Sequence, residues 1–240
     1  LYVFSCGIAA KQMADKVNAR IVSNGVKGEV HTYSVTDYAE SVINAASGVY
    51  SDKAVNAVKA MLNYGTAAQQ YFGYNTDNPA NSIMTDDDKN MDMVGFNTYT
   101  GKLVNADSVS GISYYGSSLV LESDTILRNY FELSDGYSID NYTFYVKDKD
   151  GNKNIIVPQK TDASLYYIDI SNVKAYELAD NVNIYVQKNG DSEDKIMMLE
   201  YGAYVYARYV DKYLDNTALK NLMTAMYHYC NAATEYANIY

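Results

Sequence analysis

Segments of this chain recur with a constant spacing of 165 residues. Three pairs of segments match at this spacing: 13–18 with 178–183, 24–25 with 189–190, and 64–71 with 229–236. Self-similarity of this kind indicates that one supersecondary unit is used twice. The sequence therefore predicts an internally duplicated unit of about 75 residues, with strands first and helices after them.

The first copy carries the local signals of a β-hairpin followed by two helices. An Asn-Gly pair at 24–25 is typical of a two-residue turn, because that turn needs a positive φ at both positions. The sequence S-V-T-D at 34–37 forms a capping box, which begins a helix that runs to about Ala46. Ser51 begins a second helix, which Gly73 ends. We expect strands at 1–5, 17–22 and 27–33.

The remainder of the chain changes from turn-rich sequence to alternating sequence. Residues 76–110 are predicted to form a linker region with neither helix nor strand. From residue 112 apolar residues recur with a period of two, which is typical of half-buried strands. We expect further strands at 117–122, 125–133, 142–147, 154–157, 166–170, 182–187 and 196–199. Helices at 201–213 and 217–238 would complete the second copy.

Together these elements predict an α+β fold, in which an antiparallel β-sandwich-like unit is joined to helical hairpins. The predicted domains are 1–75 as the first copy, 76–110 as the linker region, and 111–240 as the sandwich-like strands with the second copy. Three short strands are too few to be stable alone. We therefore expect the first copy to take sheet partners from elsewhere, or to follow an earlier unit of a repeat array.

The composition excludes some classes of function. The net charge is −10, and no cluster of Lys or Arg could neutralise several phosphates, so we expect no nucleic-acid partner. No apolar run approaches the ~18 residues of a membrane span, so we expect no membrane insertion. Residues 1–10 are apolar, but no basic segment precedes them, and we interpret them as a strand rather than a signal peptide.

The two cysteines, Cys6 and Cys230, do not form a disulfide framework. In the repeat, Cys6 aligns with Ser171 and Cys230 aligns with Gly65. A bridge between Cys6 and Cys230 would thus require the two copies to exchange elements. We predict two free, mostly buried thiols.

No arrangement of residues indicates catalysis or a bound metal. Neither His31 nor His228 has ligands at zinc spacing, and no Gly-x-Ser-x-Gly motif is present. The segment 148–159 fails as a calcium loop, because it lacks the required Gly and Glu. We therefore predict no catalytic residue, no cofactor and no metal. Two alternatives stay open: loose binding of a hard cation by the acidic run 86–92, and a hydrolase that uses paired carboxylates.

A ligand site is predicted on the first strands of the middle region, at Tyr114, Tyr115, Arg128 and Tyr130. The chain has 27 tyrosines, five phenylalanines and no tryptophan, and a tyrosine surface suits either half-buried sheets or sugar contacts. If 123–124 is a two-residue turn, Leu119 faces Arg128, which then lies among apolar neighbours. Arg128 would make either a structural ion pair or a contact with an anion or sugar.

Three segments, 61–78, 114–131 and 166–170, resemble an uncharacterised repeat module. The module occurs in large secreted or wall-attached proteins of anaerobic gut Firmicutes, of the Lachnospiraceae and Ruminococcaceae type. The resemblance covers nearly the whole chain and supplies no catalytic residues. It implies an extracellular or cell-surface location, often beside leucine-rich-repeat, carbohydrate-active or dockerin-type regions.

These observations lead us to expect a non-catalytic extracellular module of a bacterial surface protein, which acts as a spacer, in adhesion, or in contact with a host or a glycan. The expected partners are a glycan, a host or cell-surface protein, and neighbouring modules of the same polypeptide. One alternative is a carbohydrate-binding module with a tyrosine-lined site. Another is the accessory domain of a glycoside hydrolase.

Overall fold

The computed structural model describes residues 7–93, 108–121, 125–148, 150–171, 173–178, 182–191, 195–200 and 215–238. The chain divides into two compact units. The helical unit comprises Leu1–Val94 with Asn216–Tyr240, and the sheet unit comprises Gly95–Asp215. The last helix thus groups with the first part of the chain, whereas the sequence placed it with residues 111–240.

An exposed hairpin follows the first turn of the helical unit, a 3₁₀ turn at Ala10–Gln12. Its strands are β1 (Val17–Ala19), β2 (Val22–Ser23), β3 (Val26–Lys27) and β4 (His31–Tyr33). β1 pairs with β4 and β2 pairs with β3, both antiparallel. Asn24 and Gly25 have φ of 50° and 80°, which confirms the predicted turn. The pairing register shifts by one residue between the two ladders, where Gly28 N–H donates to the Ile21 carbonyl.

Two helices follow the hairpin, as predicted. α1 (Val35–Ile43) begins at the capping box: Asp37 N–H donates to Ser34 Oγ over 3.0 Å, and Ser34 N–H donates to the Asp37 carboxylate over 2.8 Å. It ends three residues earlier than expected. α2 (Asp52–Phe72) begins at Ser51 and ends at Gly73, which has a left-handed φ of 61°.

The predicted linker contains a third helix, so the expectation of neither helix nor strand at 76–110 was wrong. α3 (Asp86–Lys89) is a single turn, and the hydroxyl of Thr85 accepts from Asp88 N–H. Lys59 of α2 donates to the Asp88 carboxylate over 2.8 Å. A contact of this kind, distant in sequence, ties the acidic turn to α2.

α4 (Thr217–Ala237) packs against α2 inside the helical unit. Leu62 and Ala68 of α2 are buried, as are Leu222 and Met226 of α4. The rings of Tyr64 and Tyr229 stack at 5.8 Å between centroids, with an angle of 23° between their planes. The helix predicted at 201–213 lies outside the described residues.

The described part of the sheet unit contains eight strands: β5 (Ile112–Leu121), β6 (Thr125–Leu133), β7 (Tyr142–Lys147), β8 (Lys153–Ile156), β9 (Gln159–Lys160), β10 (Tyr166–Ile170), β11 (Val182–Lys188) and β12 (Lys195–Glu200). They form two four-stranded sheets, in the orders β5-β6-β10-β9 and β12-β11-β7-β8. All described pairings in both sheets are antiparallel. Single 3₁₀ turns lie at Ile139–Asn141 and Ala175–Glu177.

One hydrophobic cluster draws residues from both sheets: Val109, Ile112, Phe131, Tyr142, Phe144, Ile168, Ile184 and Val186. The rings of Phe131 on β6 and Phe144 on β7 lie 5.0 Å apart. At the edge of this core, Gly111 has φ of 84°, and a side chain there would overlap the ring of Tyr137. The turn therefore requires glycine for two independent reasons.

The α+β class with antiparallel sheets is confirmed. Cys230 is a buried free thiol, as predicted, while Cys6 lies outside the described residues. Among the described helices, none is both long enough and apolar enough to cross a membrane.

Candidate functional site

The predicted ligand residues lie on β5 and β6, but the pairing of these strands differs from the prediction. β5 and β6 pair with Leu121 opposite Thr125, whereas a two-residue turn at 123–124 would place Leu121 opposite Ile126. Arg128 is therefore opposite Ser118, and Leu119 is opposite Leu127. A shift of one position moves a side chain to the other face of a sheet, so Leu119 shares the face of buried Leu127, not that of Arg128.

A bulge in β5 separates the two tyrosines of the predicted site. Tyr114 pairs with Phe131 and Gly116 pairs with Tyr130, so Tyr115 is an extra residue between them. Tyr115 is 65% exposed. Tyr114 packs its ring edge on Phe131, within the core cluster, and its hydroxyl shares a 2.6 Å hydrogen bond with Ser117 Oγ. Tyr114 therefore belongs to the core and does not join Arg128.

Arg128 makes a bidentate ion pair with Asp169, its direct neighbour on β10. Arg128 Nε donates to Oδ1 over 2.7 Å, and Nη2 donates to Oδ2 over 2.8 Å. Both side chains are about three-quarters buried, since 27% of the arginine and 23% of the aspartate are exposed. The hydrogen bonds that Arg128 donates to Asp169 raise the pKa of the Arg128 guanidinium, against the opposing effect of burial. The pair fixes both charges in one geometry.

Tyrosine rings surround this ion pair on the outer face of the sheet. The guanidinium carbon of Arg128 lies 4.1 Å from the centroid of the Tyr167 ring, a cation–π contact. The ring of Tyr130 lies 6.1 Å from that of Tyr167. Tyr167 also donates its hydroxyl proton to Gln159 Oε1 over 2.6 Å. We call the set of Tyr130, Tyr167, Arg128 and Asp169 the tyrosine face.

The tyrosine face can bind a ligand through its rings more readily than through its charges. The carboxylate of Asp169 already offsets the charge of Arg128, so an added anion would have to displace it. The ring of Tyr167, in contrast, is held in place by its cation–π contact with Arg128 and by its hydrogen bond to Gln159. A fixed aromatic surface suits the apolar face of a sugar ring.

Sequence reasoning found Arg128 and Tyr130 but missed Asp169 and Tyr167. Both missed residues occupy alternate positions of the strand predicted at 166–170, so they share a face. The sequence signal that pointed to Asp169 was Arg128, a half-buried arginine that requires a carboxylate partner. The strand order that brings β10 beside β6 could not be read from the sequence, because other strands separate them along the chain.

A second candidate is a cavity in the helical unit, lined by both polar and apolar side chains, with a volume of about 450 Å³. Its lining includes Asn63, Thr66, Gln70, Asn81, Lys89 and Asn221. Asn63 Nδ2 donates to the Asp88 carbonyl over 2.8 Å, and Asn81 Nδ2 donates to Asn63 Oδ1 over 2.8 Å. Amide and hydroxyl groups in such a cavity could bind a small polar molecule.

One carboxylate in each acidic segment, that of Asp88 and that of Asp148, makes hydrogen bonds within the protein. Asp88 accepts from Lys59, and this hydrogen bond lowers the pKa of Asp88. Asp148 accepts from the backbone N–H groups of Asp150 and Asn152, as in a turn, and its pKa is also lowered, chiefly by Asn152. Within the described ranges, no group of three or more His, Cys, Asp or Glu side chains could hold a metal ion. Cation binding at 86–92 stays a prediction.

Neither histidine is among the residues that line the cavity or form the tyrosine face. His31 is exposed on β4. His228 Nε2 lies 2.9 Å from the Asp92 carbonyl, a hydrogen bond to backbone. Comparison of the chain with protein-family models, with curated proteins and with solved structures found no significant match to any of them.

Proposed function

We propose that this chain is a non-catalytic extracellular module of a bacterial surface protein, which acts as a spacer or in adhesion. In this proposal a strand-then-helix unit was duplicated, and the two sheets of the sheet unit pack as a β-sandwich. The observation that carries the proposal is the recurrence of a 3₁₀ turn, a strand and a long helix in the same order, each 165 residues apart. Repeated modules of this kind extend surface proteins and present contact surfaces.

The recurrence is close at the level of individual elements. The 3₁₀ turn at Ala10–Gln12 recurs at Ala175–Glu177, and the strand that begins at Val17 recurs at Val182, in each case 165 residues later. α2 and α4 are both 21 residues long, and their first residues are also 165 apart.

The two hairpins share an irregularity as well. In the first, the register shifts by one residue after Ala19. In the second, it shifts by one residue after Ile184, which is 165 positions later. A bulge at the same position of both hairpins is expected from common ancestry, because bulges alter the twist of a strand and are retained as features of a family.

The core cluster supports the sandwich. It takes Phe131 and Ile168 from one sheet, and Phe144, Ile184 and Val186 from the other. Sheets that share a core in this way pack face to face, with their side chains interdigitated.

Location and folded arrangement are tested by separate experiments. An antibody raised against the chain should label intact cells of the source bacterium, and proteolysis of intact cells should remove the signal. Labelling that requires permeabilised cells would contradict an extracellular role. For the duplication, an experimental structure in which residues 1–73 and 166–238 differ in topology would contradict the repeat.

A carbohydrate-binding module is the second candidate, because the tyrosine face offers outward rings fixed by an ion pair. A glycan array would identify a ligand, and titration calorimetry would measure its affinity. Tyr167→Ala should weaken binding at least about tenfold, as expected for a lost ring contact. Tyr115→Ala is the matched control, since Tyr115 is exposed on the same sheet but outside the tyrosine face. Equal loss in both variants would exclude this site.

A further inference from the structure

The hairpin of the helical unit, residues 17–33, exposes apolar side chains to solvent. Ile21, Val22, Val26, Val30 and Tyr33 are all more than half exposed. Ile21 and Val26 lie on one face, because Val26 pairs with Ser23, two residues beyond Ile21. Isolated two-stranded hairpins are marginally stable, and clustered exposed apolar residues mark interaction surfaces.

The matching hairpin of the second copy, β11 with β12, is covered. Its first strand pairs with β12 on one side and with β7 on the other. Val186 of β11 is fully buried in the core cluster, whereas Ile21, the residue 165 positions earlier, is 75% exposed. The described strands give β2 one neighbour, β3. The copies therefore differ in two respects: the hairpin of the second copy has β7 at its edge, and its apolar face shares a core cluster with residues of the other sheet.

We propose that the open edge of β2 is a docking site for a strand equivalent to β7. The strand would be carried by a neighbouring module of the same polypeptide, of the same kind as residues 108–165. This inference rests on the duplication proposed above. It adds the partner and the place where modules join: an antiparallel strand bonds through its backbone to the open edge, and the other strands of the same module cover the apolar face of the hairpin.

The pairing in the second copy defines the contact residue by residue. Residues 185–188 pair with 142–145, so residues 20–23 would pair with the incoming strand. Val186 pairs with Phe144, which places a phenylalanine opposite Ile21. Tyr185 stacks on Tyr145 at 5.2 Å, and Arg20 stands at the position of Tyr185. An arginine over a tyrosine ring is again favourable, through a cation–π contact.

The repeat spacing also defines the experiment. Because Leu1 stands 165 positions before Tyr166, a second copy of residues 108–165 placed directly ahead of Leu1 restores the phase of the repeat. Hydrogen exchange, followed by mass spectrometry, would compare the hairpin amides in the chain with and without this extension. We expect exchange at residues 20–23 to slow at least about tenfold in the extended chain, because the amides gain ladder partners.

Matched variants of the hairpin separate docking from a general gain in stability. Ile21→Gln should abolish the gain in protection, because Ile21 takes the place of a buried residue. Val22→Gln should retain it, since Gln187 occupies that position in the second copy. Unchanged exchange at 20–23, in an extended chain whose added strands are themselves protected, would overturn the proposal. Protection of the hairpin in the unextended chain that appears only when the chain dimerises would also overturn the proposal, because a second molecule would then be docked at the edge of β2.

A second measurement applies if the added segment does not fold. A fluorescent peptide of residues 141–148 should bind the full chain saturably, and Ile21→Gln but not Val22→Gln should weaken it. The absence of saturable binding at millimolar concentrations of the chain would refute docking. Failure of either docking experiment would not bear on the duplication, which is tested by superposition, or on the surface location, which is tested by cell labelling.

Discussion

Gln69 joins α2 to the loop that follows it, and its replacement gives the sharpest test of the helical unit. The side chain is 1% exposed. Its Nε2 donates to the carbonyls of Asn75 and Asn78, over 3.2 and 3.0 Å, and its Oε1 accepts from Ala80 N–H over 2.8 Å. The three partners of this amide, Asn75, Asn78 and Ala80, all lie in the loop that follows α2.

Gln69→Ala would remove the three hydrogen bonds and leave a cavity. The Ala80 N–H is buried, so its desolvation would not be offset, and buried groups left unpaired cost about 1–3 kcal/mol each. The two carbonyls lie in partly buried contacts, where water can replace part of the loss. We expect the free energy of unfolding to fall by about 3 kcal/mol in total.

Urea unfolding followed by circular dichroism would measure this change, because α2 and α4 supply most of the described helix. Gln70→Ala is the matched control: Gln70 is the next residue of the same helix and is exposed, so its loss should stay within about 0.5 kcal/mol. Equal destabilisation by the two variants would refute the reasoning, since the network would then contribute no more than a surface glutamine.

Three further predictions concern other contacts. Gly111→Ala should destabilise the sheet unit by about 3 kcal/mol, through a positive φ and a ring overlap, whereas Gly136→Ala, with a similar φ in open space, should cost about 1 kcal/mol in thermal unfolding. Because the pKa of Asp88 is lowered in the folded state, Asp88 stabilises the fold at pH values above its ordinary pKa of 3.8, and this contribution is lost as the pH falls below that value. Lys59→Met should therefore reduce the loss of stability at acid pH, measured by urea unfolding at a series of pH values. An unchanged loss would contradict this linkage. Arg128→Ala should lower stability by about 1–2 kcal/mol, an effect that 1 M salt should reduce only partly, because the ion pair is mostly buried.

Local signals predicted those elements that are specified by neighbouring residues. The turn at 24–25 and the capping box at 34–37 form as expected, because a positive φ and a cap hydrogen bond depend on a few adjacent residues. α4 was predicted to within one residue of its end. The strand at 166–170 was predicted without error, since it alternates and is flanked by turns.

Contacts between distant segments account for what the sequence did not predict. The register of β5 with β6 differs from that of a two-residue turn at Arg128 and changes again at the bulge of Tyr115, and nothing in the local sequence distinguishes a bulged strand from a regular one. α3 forms where an acidic run looked like a loop, with Lys59 of another helix pairing with it. Asp169 of the candidate site was not predicted for the same reason, because its partner Arg128 is 41 residues away in the chain.

The stacked rings of Tyr64 and Tyr229 have a consequence for the origin of the chain. The two residues are 165 positions apart, so under the proposed duplication each is the counterpart of the other. Contact between a residue and its own counterpart is the mark of a homodimer interface at its twofold axis. An ancestral protein with a single copy would then have formed a homodimer through this helix. Under the proposed duplication, fusion into one polypeptide would have raised the local concentration of the two helices to about the millimolar range, enough for an association too weak between separate molecules.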